Sequence, residues 1–176
     1  ELQFLDVNDV IKEKIYYVYD NLNNIEFKSK CKDAFHKIGI EINDNLSDVN
    51  FICEDTGFYI KNKQMNGFPG ALIKFYYESL GNEEIIRRDK GSKALVKCSI
   101  GLIHNNKIYE KSICGKVKGR IAKKYIENKN AFGWDPIFIP KLKNTELNNQ
   151  QGKSYAELND YDKNKTSLGW TALQLS

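Results

Sequence analysis

The chain has 176 residues, with 27 basic and 23 acidic side chains, a net charge of +4, 41% hydrophobic and 12% aromatic content. That composition suits one packed domain and excludes a disordered chain, and no apolar run approaches the length of a membrane span. The small positive excess suits a phosphate-bearing small molecule as well as a larger polyanion, so sign alone decides nothing.

No signal peptide is visible at the start. The chain begins at Glu1 without an initiator methionine, so the natural N-terminus is expected to be missing or processed. Cys31, Cys53, Cys98 and Cys114 form no C-x-x-C pair and read as reduced residues of a cytosol-like compartment. His36 and His104 have no zinc-site spacing around them.

In chain order, LQFLDVN (2–8) reads as a short strand. Ile11, Ile15, Val18, Tyr19 and Leu22 follow at helical spacing, then Phe27, Cys31, Ala34, Phe35 and Ile38 on a second helix that Gly39 stops. Residues 41–48 are polar and predict an exposed loop, and VNFICEDTGFYI (49–60) predicts a core strand. Asn66-Gly67 and Pro69-Gly70 mark turns, and 71–81 is a helix ending at Gly81, with Asn82 as the cap of the next short helix. Alternation from Ala94 to Leu102 and a return over 107–119 predict a hairpin turning at Asn105-Asn106. Residues 121–129 read equally as helix or loop, 131–140 are an apolar segment, and 141–152 are loop. Asn159 or Asp160 caps a final helix. Helices on either side of long strands make α/β, with α+β character and mixed strand pairing, the expected class.

Glu54-Asp55 lies between apolar triplets. Neighbouring strand residues point to opposite faces, so only one of the two acids can serve a given site. One reading is a bulge or strand end with both acids in water. The other is an acid that meets a cation, Mg²⁺ being the hard-oxygen candidate. Phe132-Gly133-Trp134-Asp135-Pro136 can frame a planar ring, with Asp135 accepting from ring N–H groups, or can be a core turn with Trp134 buried and Asp135 capping the backbone. Lys163-Asn164-x-x-Ser167 places a lysine at a helix start, as a phosphate or base contact or as a solvated side chain. Gly67-Phe68-Pro69-Gly70 lacks P-loop spacing.

Taken in order, VNFICEDTGFYI, NGFPGALIKFYYESLGNEEI, AFGWDPIFIP and GKSYAELNDYDKNKTS resemble four motifs of the inosine triphosphate pyrophosphatase family, which acts on purine triphosphates with altered bases. The resemblance covers most of residues 49–173. It implies a long, twisted, mixed sheet with flanking helices and two lobes around a cleft, in a single domain over 1–176. It implies Mg²⁺-dependent attack of water on the α-phosphorus of ITP, dITP or XTP, giving monophosphate and pyrophosphate and cleansing the nucleotide pool, with Mn²⁺ as the alternative ion.

By the same resemblance Asp55 is the metal-linked catalytic acid, with Glu54 on the other face or assisting the metal. Thr56 touches phosphate. Phe132, Gly133, Trp134 and Asp135 frame the base, and Lys163 and Ser167 lie beside it. Glu13 is the candidate metal glutamate, with Glu1 the alternative, and Lys30 the substrate lysine on the helix before the strand. The expected partners are the nucleotide and a second copy of the chain in a cytoplasmic homodimer, with no nucleic-acid polymer and no membrane.

The sequence departs from the family at two places. Nothing matches the family's opening strand and T/S-x-N-x-x-K phosphate loop. Leu168-Gly169 follow Ser167 where the family has His-Arg, which removes a planar, always-charged donor. These departures motivate an alternative: a degenerate member that binds nucleotide or a protein partner without efficient turnover.

Overall fold

The computed structural model describes residues 2–43, 45–46, 49–128, 131–141 and 152–165. Helices α1 (Val7–Asn21) and α2 (Ile25–His36) precede the sheet. Strand β1 (Phe51–Lys61), the short β2 (Pro69–Gly70), helices α3 (Ile73–Leu80) and α4 (Asn82–Asp89), the hairpin β3 (Lys93–His104) and β4 (Lys107–Ile121), β5 (Phe138–Pro140) and α5 (Asp160–Lys165) follow. The five strands order as β2-β1-β3-β4-β5. The α/β class and the flanking helices match expectation. Mixed pairing does not appear among the described residues, where each of the pairings is antiparallel.

The expected strand over 2–8 is absent. Asp6 caps α1 instead, accepting from Asn8 N–H at 2.8 Å, so Val7 already sits in the first helical turn. Val7, Val10, Ile11 and Ile15 make the buried stripe of α1, which crosses β1, β3 and β4. Gly101 permits that approach: a Cβ there would lie 2.3 Å from Ile15 Cδ1 and 2.7 Å from Ile11 Cγ2. The first turn is fastened by polar contacts as well. Lys97 Nζ reaches both Asp6 oxygens at 2.7 and 2.9 Å, Val7 N–H donates to Tyr59 Oη at 3.0 Å, and Ser99 Oγ meets Asn8 Oδ1 at 2.6 Å.

The opposite sheet face carries the main core. Phe58, Ile60, Val96 and Cys98 pack there against Ile73, Ile85, Ile137 and Phe138. Glycines end α2 and α3, with Gly39 at φ 76° and Gly81 at φ 78°, and Asn105 and Asn106 turn the β3–β4 hairpin at φ 49° and 56°. Unlike its sequence pattern, α2 buries no residue. It leans on the sheet through Phe27, whose ring centroid lies 6.4 Å from Tyr17 and 6.3 Å from Phe51. Asn82 does not cap α4: its side chain donates to Gly133 O at 2.7 Å, and Gly81 takes the cap position. Asn159, rather than Asp160, caps α5 by accepting from Asp162 N–H at 2.8 Å. The ambiguous stretch after Ile121 is neither helix nor strand over 122–128.

Gly101→Ala is expected to cost about 1–3 kcal/mol by forcing α1 off the sheet, read by urea denaturation; an unchanged midpoint would show that α1 is not seated there. Burial pushes the Asp6 carboxyl up, but the Lys97 hydrogen bond and the Asn8 amide outweigh it and hold the group below its usual 3.8. A carboxyl depressed on folding contributes stability above its unfolded value and loses it as pH falls through the folded one. Thermal midpoints should therefore fall more between about pH 5 and pH 3 for the parent than for Asp6→Asn.

Candidate functional site

Pairing with β3 runs unbroken through Glu54↔Ile100 and Asp55↔Ser99, so the acid pair is neither a bulge nor a strand end. The pleat sends the two carboxylates to opposite faces. Asp55 shares its face with Cys53, Gly57 and Tyr59, beneath α1. Its Oδ2 accepts from Lys14 Nζ at 2.8 Å, and its Oδ1 accepts from Thr56 N–H at 2.8 Å. Lys14 Nζ also lies 3.4 Å from the Glu54 carbonyl oxygen. Glu54 turns to the face of Thr56 and Phe58, where Cys98 Sγ donates to its Oε1 at 3.3 Å. Burial pushes the Cys98 thiol up to about 12, so it remains a donor at neutral pH.

A cavity of about 900 Å³ opens between α1, β1 and the start of α3, with Glu13, Lys14, Cys53, Glu54, Asp55 and Lys74 among its lining residues. The structure thus brings three of the expected acids, Glu13, Glu54 and Asp55, to the lining of one cavity, although the Glu54 carboxylate itself bonds to Cys98 on the other face of the sheet. It does not bring Lys30 there. Lys30 is exposed on α2 and pairs with Glu26 of the same helix at 2.7 Å. The lysine that reaches Asp55 is Lys14, which the sequence reading passed over. A signal for it existed: Lys14 lies four residues after Val10 and three after Ile11, on the inward stripe of α1, where a cation needs a partner. Glu1 and Ser167 lie outside the described residues.

The aromatic segment forms a second constellation. Asp135 is 4% exposed, and its Oδ2 accepts from Phe132 N–H at 3.2 Å and from Lys163 Nζ. That ion pair joins two of the sequence motifs. The Trp134 ring lies 5.3 Å from Phe58, 5.9 Å from Phe138 and 5.9 Å from Tyr155, so it is packed by other rings, while Phe132 is 75% exposed. Gly133 adopts φ 49°, and a Cβ on it would lie 3.3 Å from the Tyr77 ring. Thr56 is on this face, next along from Phe58. Asp55 is on the other, so the two constellations stand on opposite sides of β1. β2 pairs only with Phe58 and Tyr59, and among the described residues no strand covers the β1 edge from Phe51 to Gly57.

The Ham1 family profile matches residues 7–175. A dITP/XTP pyrophosphatase of Pyrococcus horikoshii is 32% identical over 127 residues, covering 70% of this chain and 61% of that protein. One from Methanosarcina acetivorans is 29% identical over 171 residues, covering 94% and 84%. Among solved structures, a HAM1 protein from Coxiella burnetii superposes with TM-score 0.55 at 24% identity, covering 72% of this chain and 64% of that one. A nucleoside-triphosphatase / dITP/XTP pyrophosphatase from Mycobacterium abscessus superposes with TM-score 0.52 at 17% identity, covering 86% and 92%. The sheet with its helices is therefore a fold shared with solved Ham1 proteins. The chain belongs to the Ham1 family, although its match spans less than two thirds of the Pyrococcus relative's length.

Lys163→Met is expected to leave the buried Asp135 carboxylate short of a donor and cost roughly 1–3 kcal/mol in urea denaturation. A loss no larger than that of an exposed lysine would show that the pair is incidental.

Proposed function

We propose that this chain hydrolyses purine nucleoside triphosphates with altered bases (ITP, dITP and XTP) to the monophosphate and pyrophosphate. The observation that carries the reading is Asp55, held by Lys14 and Thr56 on the wall of a cavity large enough for a nucleotide. Family membership and relatives named as dITP/XTP pyrophosphatases support it.

In this reading Lys14 leaves Asp55 for a phosphate oxygen when substrate enters, and Lys74 adds a second positive charge to the same cavity. Asp55, still fixed by the Thr56 amide, orients a water against the α-phosphorus and takes its proton. The water oxygen bonds to phosphorus as the bridge to the β-phosphate breaks, and pyrophosphate leaves with the bond's electron pair. The base is assigned to Phe132, Gly133, Trp134, Asp135 and Lys163. A substrate reaching both constellations crosses the open edge of β1.

Among the described residues no group of three or more His, Cys, Asp or Glu is arranged to hold a metal. Mg²⁺ usually takes one or two carboxylates with phosphates and waters, so Glu13 and Asp55 fit it as the protein's share of the ligands. When bound, the ion offsets the charge that develops on the phosphates. A cytoplasmic setting is part of the proposal, supported by the free cysteines, as is a homodimer, for which Leu2, Phe68 and Phe75 offer exposed apolar surface. No helix among the described residues is long and apolar enough to cross a membrane.

The test is a product assay with ITP and Mg²⁺ that separates IMP and pyrophosphate from IDP and phosphate. Asp55→Asn is expected to lose about 100-fold or more in kcat with its melting curve retained. Lys14→Met should raise KM and lower kcat, while Lys30→Met changes neither. No product from the folded parent with any purine triphosphate, together with nucleotide binding, would instead establish a nucleotide-binding protein without turnover, the reading favoured by a Lys14 that already occupies Asp55.

A further inference from the structure

The register of the sheet gathers cations that the sequence spreads over sixty positions. Residues paired directly across strands project to the same face. Lys61 of β1 is opposite Lys93 of β3, and Lys93 is opposite Arg120 of β4, so three cations stand in one row across three strands. In the next row on that face Leu95 is opposite Lys118, and in the third Lys97 is opposite Lys116. Lys61, Lys93, Lys116, Lys118 and Arg120 are exposed.

Like charges placed directly opposite repel, and a row of them persists only at a cost unless an anion intervenes. For the third row the chain provides that anion itself: Asp6 pairs with Lys97 at 2.7 Å, and the charge of Lys116 also acts on it. For the first row no acid is paired among the described residues. Lys61 lies 5.6 Å from the centroid of the Tyr59 ring, a contact that leaves its charge in place. β4 alone offers Lys116, Lys118 and Arg120 at alternate positions, a comb of charges about 6.8 Å apart along the strand. Neighbouring strands about 4.8 Å apart make the comb two-dimensional.

We propose that this face of β1, β3 and β4 binds the phosphate backbone of a single-stranded nucleic acid. The chemistry is that of a repeated anion meeting repeated cations, without base readout. A free nucleotide has too few phosphates to span the rows. A membrane surface would call for exposed apolar anchors beside the lysines, and Tyr59 and Leu95, which share the face, are buried and half-buried. The family resemblance implied no nucleic-acid polymer as partner, and the net charge of +4 gives no sign of this face because it averages these cations with the rest of the chain. These cations stand on the same sheet face as Asp55 but line none of its cavity, since the first turn of α1 comes down at Gly57 between them, so the inference stands or falls independently of the proposed hydrolysis.

The test is fluorescence anisotropy with a labelled oligothymidylate of roughly twenty nucleotides, titrated with the whole chain at several salt concentrations. The triple variant Lys116→Gln, Lys118→Gln, Arg120→Gln should weaken binding at least tenfold and flatten the slope of log K against log salt by about 2, from roughly 0.7 per lost phosphate contact. A control triple at exposed lysines elsewhere, Lys12→Gln, Lys37→Gln, Lys124→Gln, should leave both nearly unchanged. Circular dichroism melts show that both triples remain folded. Equal losses in the two triples, no binding at about 50 mM salt, or a preference for vesicles of anionic phospholipid over the oligonucleotide would each overturn the proposal.

Discussion

Three polar contacts fix the first turn of α1 on the sheet, and the geometry around Asp55 follows from them. Lys97 is 8% exposed, and a cation so enclosed is costly unless paired. Asp6 meets it with both oxygens while capping the helix, so one carboxylate serves sheet and helix together. Tyr59 and Ser99 hold the next two residues. With the first turn seated, the helix rise carries Lys14 about 12 Å further along its axis. It comes down over Asp55. A rotation of α1 by one residue, roughly 100°, would move Lys14 off the carboxylate and bring a different side chain to the cavity.

The same anchoring explains which parts of the molecule were legible in the sequence. The strand through Glu54 and Asp55 was readable because apolar triplets bracket it and the pleat has a fixed period, so the division of the acids between two faces followed from spacing alone. The hairpin was readable for the same reason, with Asn105 and Asn106 supplying the left-handed turn. The start of the chain was misread because Leu2, Phe4, Leu5 and Val7 make a short apolar run that reads as a strand. Asp6 overrides that pattern by capping a helix whose first turn has partners 52 to 91 residues away. Such partners leave no local trace. Asn82 was misassigned on similar grounds: its local role as a cap yields to a distant carbonyl, that of Gly133.

Site residues were legible in proportion to how local their geometry is. Asp55, Asp135 and Lys163 were picked from motifs, and the structure joins the last two into one ion pair. Lys14 lies in no motif, and only its place beside the buried stripe of α1 marks it as a residue that needs a partner. For Trp134 the ring contacts are those of a packed core, and Phe132 is the ring that solvent reaches. Composition fared worst with charge. A net sum carries no register, and the alignment of Lys61, Lys93 and Arg120 exists only once the strands are paired.

The second helix has a consequence of its own. Because α2 buries no side chain and touches the body through Phe27, little apolar area is lost when it opens. Its amides are set to exchange with solvent through local opening well before those of α1 and the central strands, which exchange only as the whole domain unfolds. The chain therefore contains two tiers of cooperativity. A protease would nick the span around α2 first and leave the strands of the sheet folded.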